Sequence, residues 1–101
     1  MEGKYEATLA VNNVPVDLNP FIEQFVARTV AGAVSSLRGA ETFNSVELNL
    51  REGNVTVIAD GQEVDVTSFP NDIIASTIAG MVSPLKGVQA TDPVTISVKV
   101  S

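Results

Sequence analysis

The chain has 101 residues, of which 45% are hydrophobic and 18% are charged, and its net charge is −6 at pH 7. This length fits one domain with a single modest core, and the hydrophobic fraction excludes a disordered chain. The acidic balance, with only six basic residues, argues against binding to nucleic acid or to an anionic membrane.

The second half of the chain repeats the first at a constant offset, without a gap. For example, Val16 returns as Val64, and Thr29–Gly32 returns as Thr77–Gly80 with one conservative change. A match this regular predicts one supersecondary unit that is built twice. Because each half is near the lower size limit for independent folding, we expect a single domain, residues 1–101, made of two pseudo-repeats at about 4–52 and 53–101.

Each repeat begins with apolar and polar residues in alternation, which is the two-residue period of a strand with one buried face. Asn12–Asn13 and Asp60–Gly61 then interrupt the pattern, and both pairs tolerate the positive φ angles of a type I′ turn. Each repeat is therefore predicted to start with a β-hairpin. A third strand is predicted over 46–51 and again over 94–100, and Glu52–Asn54 forms a tight turn between the repeats.

A helix is predicted between the hairpin and the third strand of each repeat. Asn19, which precedes a proline, is the predicted N-cap of the first helix, and Ser68 takes this part in the second. Gly39 and Gly87 are predicted C-terminal caps, and Pro84 should end or bend the second helix. Both helices carry a wide apolar stripe that we expect to face a sheet. The stripe residues are Ile22, Phe25, Val26, Thr29, Val30, Ala33, Val34 and Leu37 in the first helix, and Pro70, Ile73, Ile74, Thr77, Ile78, Met81, Val82 and Leu85 in the second.

These elements predict an α+β fold, a two-layer sandwich formed from a duplicated β-β-α-β unit. We expect a six-stranded mixed sheet with both helices on its apolar face, connected by right-handed crossovers. The order of the strands in the sheet does not follow from the sequence.

The chain contains no histidine and no cysteine. This removes the commonest general base, the commonest transition-metal ligand and every thiol mechanism. No glycine pattern typical of a nucleotide-binding loop and no serine nucleophile elbow is present. The sequence therefore predicts a protein that is not an enzyme and binds no cofactor. The lack of cysteine and of a signal-peptide pattern predicts a cytoplasmic location.

The best candidates for a ligand site are two aspartates at matched positions just before each helix, Asp17 and Asp65. They are candidates for a paired acid site or for binding a hard cation such as Mg²⁺. The alternative is that each is an exposed strand residue near the positive end of a helix, and we favour this alternative because no cleft is evident.

Small, uncharged residues occupy the helix faces opposite the apolar stripes, where a solvated helix normally carries lysine and glutamate. Such residues allow close helix packing, either with the neighbouring helix of the same chain or with a second subunit. We predict a small non-catalytic interaction or scaffold module that forms a homodimer or binds another protein. The alternative is a protein that binds a small ligand or a divalent cation through the polar sheet face or the two aspartates. The predicted interface residues are Ala27, Ala31, Ser35, Ala75, Ala79 and Ser83.

Overall fold

The computed structural model describes residues 5–85 and 93–100, and it confirms an α+β fold with two helices and a six-stranded sheet. The elements follow one another in the order β-β-α-β-β-β-α-β. Their bounds are β1 (Tyr5–Val11), β2 (Val14–Pro15), α1 (Pro20–Ser35), β3 (Ser45–Arg51), β4 (Asn54–Ala59), β5 (Gln62–Val64), α2 (Ser68–Val82) and β6 (Val94–Val100).

The strands are arranged in the order β2-β1-β6-β3-β4-β5, and all five pairings between neighbours are antiparallel. The prediction of a mixed sheet is therefore wrong. A parallel neighbour arises when a helix connects two adjacent strands that run in the same direction. Here each helix instead connects an edge strand to a central one, and the two central strands, β3 and β6, pair with each other.

The turns between adjacent strands have the predicted backbone conformation. The φ angles are 53° and 65° at Asn12–Asn13, and 51° and 85° at Asp60–Gly61. Both residues of each pair are in the left-handed region, as a type I′ turn requires. The turn at Glu52–Gly53, between β3 and β4, has the same form, with φ angles of 51° and 79°.

The start of α1 agrees with the sequence, and the start of α2 differs from the prediction by one position. The side-chain oxygen of Asn19 accepts a hydrogen bond of 2.8 Å from the backbone N–H of Ile22, as expected of an N-cap. The second N-cap is Thr67 rather than Ser68, and the Thr67 side chain makes no capping hydrogen bond. Thr67 has the extended backbone that an N-cap adopts, whereas Ser68 is already helical.

The helix ends are only partly as predicted. α1 ends at Ser35, so Gly39, with a φ angle of 91°, lies in the loop beyond the helix and does not cap it directly. Gly87, the second predicted cap, lies outside the described residues. α2 ends at Val82, just before Pro84, as expected. Within residues 5–85 and 93–100, neither helix is long and apolar enough to cross a bilayer.

The core lies on one face of the sheet. Leu9, Ile96, Leu48 and Val57 lie side by side across four strands, and each is at most 3% exposed. Opposing residues of antiparallel strands share a face, so this row marks the face that both helices cover. The helix residues that complete the core are Val26, Ala27, Val30 and Val34 of α1, and Ile74, Ile78 and Val82 of α2.

Candidate functional site

Large apolar side chains are exposed on both helices. On α1, Phe21 is 75% exposed and Phe25 is 52% exposed; on α2, Phe69 is 72% exposed and Ile73 is 49% exposed. The rings of Phe21 and Phe25 stack on each other, with their centroids 6.2 Å apart and their planes inclined by 21°. Because single exposed apolar residues are common but clustered ones mark interaction sites, these helix surfaces are the strongest candidates for function.

The structure differs from the predicted orientation of α1 and, at one position, from that of α2. Phe25 and its counterpart Ile73 were expected in the stripe that faces the sheet, but both are exposed. Ala27 and Ala31 were expected on the outer face, but they are 0% and 7% exposed. An alanine near the centre of a buried face allows a helix to approach the sheet closely, whereas a phenylalanine there would hold it away.

The six small residues of the predicted interface are not equivalent in the structure. Ala27 and Ala31 are buried within a single chain, but α1 packs mainly on β1 of the sheet, whereas the arrangement expected within one chain was packing on the neighbouring helix. Ala75, Ala79 and Ser35 are half-buried, and Ser83 is exposed. The accessible surface of each helix is therefore centred on the exposed apolar residues and not on the alanines.

Each helix presents the same outward row of side chains, which we call the outer stripe. It consists of Phe21, Phe25, Arg28 and Gly32 on α1, and of Phe69, Ile73, Ser76 and Gly80 on α2. Residues at this spacing lie on one face of a helix. At both glycines an added Cβ atom would meet no atom of the described residues within 4 Å, apart from the backbone of its own helix, so the second half of each stripe is open within residues 5–85 and 93–100. The Arg28 guanidinium lies 5.9 Å from the centre of the Tyr5 ring.

The first turn of α1 closes an open strand edge. β2 pairs only with the last two residues of β1, which leaves the start of β1 without a neighbour on that side. There the backbone N–H of Ala7 donates a hydrogen bond of 3.0 Å to Glu23 Oε2, and Gln24 Nε2 donates one of 2.7 Å to the carbonyl of Tyr5. Side chains of the helix thus replace part of a missing strand.

The first turn of α2 does the same at the opposite edge of the sheet. The backbone N–H of Val55 donates a hydrogen bond of 2.7 Å to Asn71 Oδ1, and Asn71 Nδ2 donates one of 2.8 Å to the carbonyl of Gly53. β5 pairs with the last three residues of β4 and leaves this segment uncovered. Sequence analysis did not identify these edge contacts; the signal for them was a polar residue, Glu23 or Asn71, four positions after each N-cap.

The structure does not bring Asp17 and Asp65 together. Both are exposed, and they follow β2 and β5, which are the two outermost strands of the sheet. Five strand spacings separate these edges, which is about 24 Å. Among the described residues, no group of three or more acidic side chains is arranged to hold a metal ion.

The polar face of the sheet forms a shallow depression of about 870 Å³, which belongs to the alternative ligand-binding hypothesis. On the same face, Thr95 Oγ1 donates a hydrogen bond of 2.9 Å to Asn49 Oδ1, and Asn49 Nδ2 donates one of 3.0 Å to Glu47 Oε2. Several polar groups are thus paired with each other. The side chains around the depression include Glu6, Thr8, Ser45, Glu47, Ile58, Ser97 and Lys99.

Comparisons with known proteins give no relative for this chain. No protein-family model matches its sequence, no curated protein matches it, and no solved structure matches its fold. The function is therefore inferred from the helix surfaces and their chemistry.

Proposed function

We propose that this protein is a non-catalytic interaction module of the cytoplasm that forms a homodimer through the outer stripes of its helices. The observation that carries the proposal is the exposure of Phe21, Phe25, Phe69 and Ile73 on a chain that has a complete apolar core elsewhere. Leaving such side chains in water is unfavourable, and covering them with a second copy removes that cost.

The exposed apolar area is of the size that a dimer requires. At these exposures, three phenylalanines and one isoleucine leave on the order of 500 Å² of apolar side chain in contact with water. One partner in a standard interface contributes about 800 Å², of which about 60% is apolar. The two outer stripes together reach this apolar area, and the stripe of either helix alone supplies about half of it. A closed two-fold dimer is the commonest way for a soluble protein to cover such a surface.

We also propose that the two halves are copies of one β-β-α-β unit. Equivalent contacts at matched positions of the two halves support this: the N–H of Asn12 donates to the carbonyl of Pro93 at 2.7 Å, and the N–H of Asp60 donates to that of Ser45 at 2.9 Å. In an experimental structure, the Cα atoms of 6–51 and 54–99 should superpose as one unit. Different element orders in the two halves would contradict the duplication.

The mass of the protein in solution tests the dimer. Light scattering during size-exclusion chromatography should give about twice the 10.6 kDa mass of one chain. The double variant Phe21→Ser/Phe69→Ser should elute as a monomer, because it removes the two most exposed aromatic rings. Ile58→Ser, which changes the opposite face of the sheet, is the matched control and should remain dimeric. An unchanged mass in the double variant would refute the proposal.

The second candidate, a small-ligand or divalent-cation-binding protein, is supported by the depression on the polar sheet face. A thermal-shift screen with divalent metals and metabolites tests it, because a ligand that binds only the folded state raises the melting temperature.

The exposed aspartates should be unimportant in either case. We expect Asp17→Asn and Asp65→Asn to change the free energy of unfolding by less than about 0.5 kcal/mol, as at ordinary surface positions. Urea unfolding measures this change, and titration with Mg²⁺ should give no difference between the double variant and the original chain. Loss of Mg²⁺ binding in the variant would instead assign the aspartates to a metal site.

A further inference from the structure

We infer that the dimer forms by antiparallel packing of α2 against α2 of a second copy, with Ile73 of each chain over Gly80 of the other. This inference rests on the proposed homodimer and specifies which helix forms it and in which register. The exposed face of α2 then packs against a second copy of this chain.

The outer stripe of α2 is complementary to itself only in the antiparallel direction. Its first half carries Phe69 and Ile73, whereas its second half has Gly80, above which the space is open. A two-fold axis that passes beside residues 76 and 77 places Ile73 of one chain opposite Gly80 of the other. These two residues lie about equally far along α2 on either side of the axis. The same axis places Phe69 opposite Pro84 and allows the helix backbones to approach closely at Gly80.

The outer stripe of α1 also has large apolar side chains in its first half and a glycine in its second half, but the residue between them is different. Arg28 occupies the position that corresponds to Ser76 in the second repeat. Antiparallel pairing of two α1 helices would bring two arginines together near the axis, where like charges repel. The Arg28 guanidinium also lies over the Tyr5 ring, which covers part of this surface within the chain. The centre of the α2 stripe carries no charge, so α2 is the better surface for a second copy.

The exposed apolar area of α2 limits the affinity of the two subunits for each other. Phe69 and Ile73 of two chains leave on the order of 500 Å² of apolar side chain exposed. A standard interface buries about 1,200–2,000 Å² in total, so this dimer would also have to bury polar and backbone surface beside the outer stripe of α2. An interface at the lower end of this range fits a reversible dimer with a dissociation constant in the micromolar range.

Single cysteines test the direction and register of the helices, because the natural chain has none. Ser76→Cys lies next to the proposed axis, so mild oxidation should cross-link the two chains almost completely. Ser83 is the exposed C-cap residue of α2, and in the antiparallel pair two cysteines introduced by Ser83→Cys lie about 20 Å apart, too far for a disulfide. Cross-linking of Ser76→Cys alone supports the inference. Cross-linking at both positions indicates parallel helices and overturns it, as does cross-linking at neither.

A bulky side chain at each open glycine identifies the helix. Gly80→Trp should raise the dissociation constant at least tenfold in sedimentation equilibrium, because it blocks the place of Ile73. Gly32→Trp is the matched control at the equivalent position of α1, and it should leave the constant unchanged. Since both glycines face open space, circular dichroism should show both variants folded. Dissociation by Gly32→Trp instead would overturn the inference but keep the homodimer, whereas a natural chain that stays monomeric up to millimolar concentration would overturn both.

Discussion

Replacing Ile96 by alanine should lower the free energy of unfolding by about 3–4 kcal/mol, because it removes a fully buried side chain at the centre of the sheet. Ile96 lies on β6, between Leu9 of β1 and Leu48 of β3. Its neighbours are held in place by backbone hydrogen bonds on both sides, so they cannot move in to fill the cavity. A cavity that stays open gives the larger losses among such substitutions.

This loss is a large part of the total stability, which for a domain of this size is on the order of 5–15 kcal/mol. Urea unfolding, followed by circular dichroism, measures it as a lower midpoint with an unchanged slope. The matched control is Ile58→Ala, which removes the same atoms from the half-buried polar face of β4 and should cost less than about 1.5 kcal/mol. Equal losses at the two positions would mean that the core is not on the face we assign.

The strands and turns could be predicted because their signals are local. The alternation of apolar residues in β1 requires only neighbouring positions, and the turns at Asn12–Asn13 and Asp60–Gly61 depend on residues that tolerate positive φ angles. The second N-cap was predicted at Ser68 and lies at Thr67, which is the position that the constant offset matches to Asn19.

The strand order and the rotation of the helices could not be predicted because they depend on distant contacts. The pairing of β3 with β6 joins the third strands of the two halves, which are far apart in the sequence, and no local pattern in either strand selects the other as its partner. The apolar residues of α1 extend around much of the helix, and the sequence prediction wrongly placed Phe25 toward the sheet and Ala27 on the outer face. Packing against the sheet decides it in favour of Ala27, and the exposed Phe25 then becomes part of the candidate site.

The edge contacts of Glu23 and Asn71 also escaped the sequence analysis, and they link the fold to the proposed function. Both side chains fix the first turn of a helix against the start of a strand. This positions the exposed Phe21 and Phe69, which lie just before them in the same helical turns, at opposite edges of the sheet. It also blocks two strand edges that would otherwise be open to pairing with other chains, which is consistent with the proposed association through the helices.

Replacing Asn71 by leucine should lower the free energy of unfolding by about 2 kcal/mol, because it leaves the Val55 N–H without its partner. The same substitution removes the hydrogen bond from Asn71 Nδ2 to the carbonyl of Gly53. Leucine has nearly the shape of asparagine, so the loss reports on hydrogen bonding more than on packing. The start of β4 then becomes an unprotected edge, and the variant should also aggregate at a lower concentration than the original chain.

Urea unfolding measures the stability, and hydrogen exchange of the Val55 amide reports directly on the broken contact, which should exchange faster than in the original chain. Asp72→Leu is the matched control: Asp72 is exposed in the same helical turn and accepts only a long hydrogen bond of 3.4 Å from Asn71 Nδ2, so its replacement should change the stability by less than about 0.5 kcal/mol. Asn71→Asp keeps an acceptor for the Val55 N–H but removes the donor to the Gly53 carbonyl. Its decrease in the free energy of unfolding should therefore lie between those of the two leucine variants. Equal stability of Asn71→Leu and Asp72→Leu, with an unchanged Val55 exchange rate, would show that the first turn of α2 does not protect the strand edge.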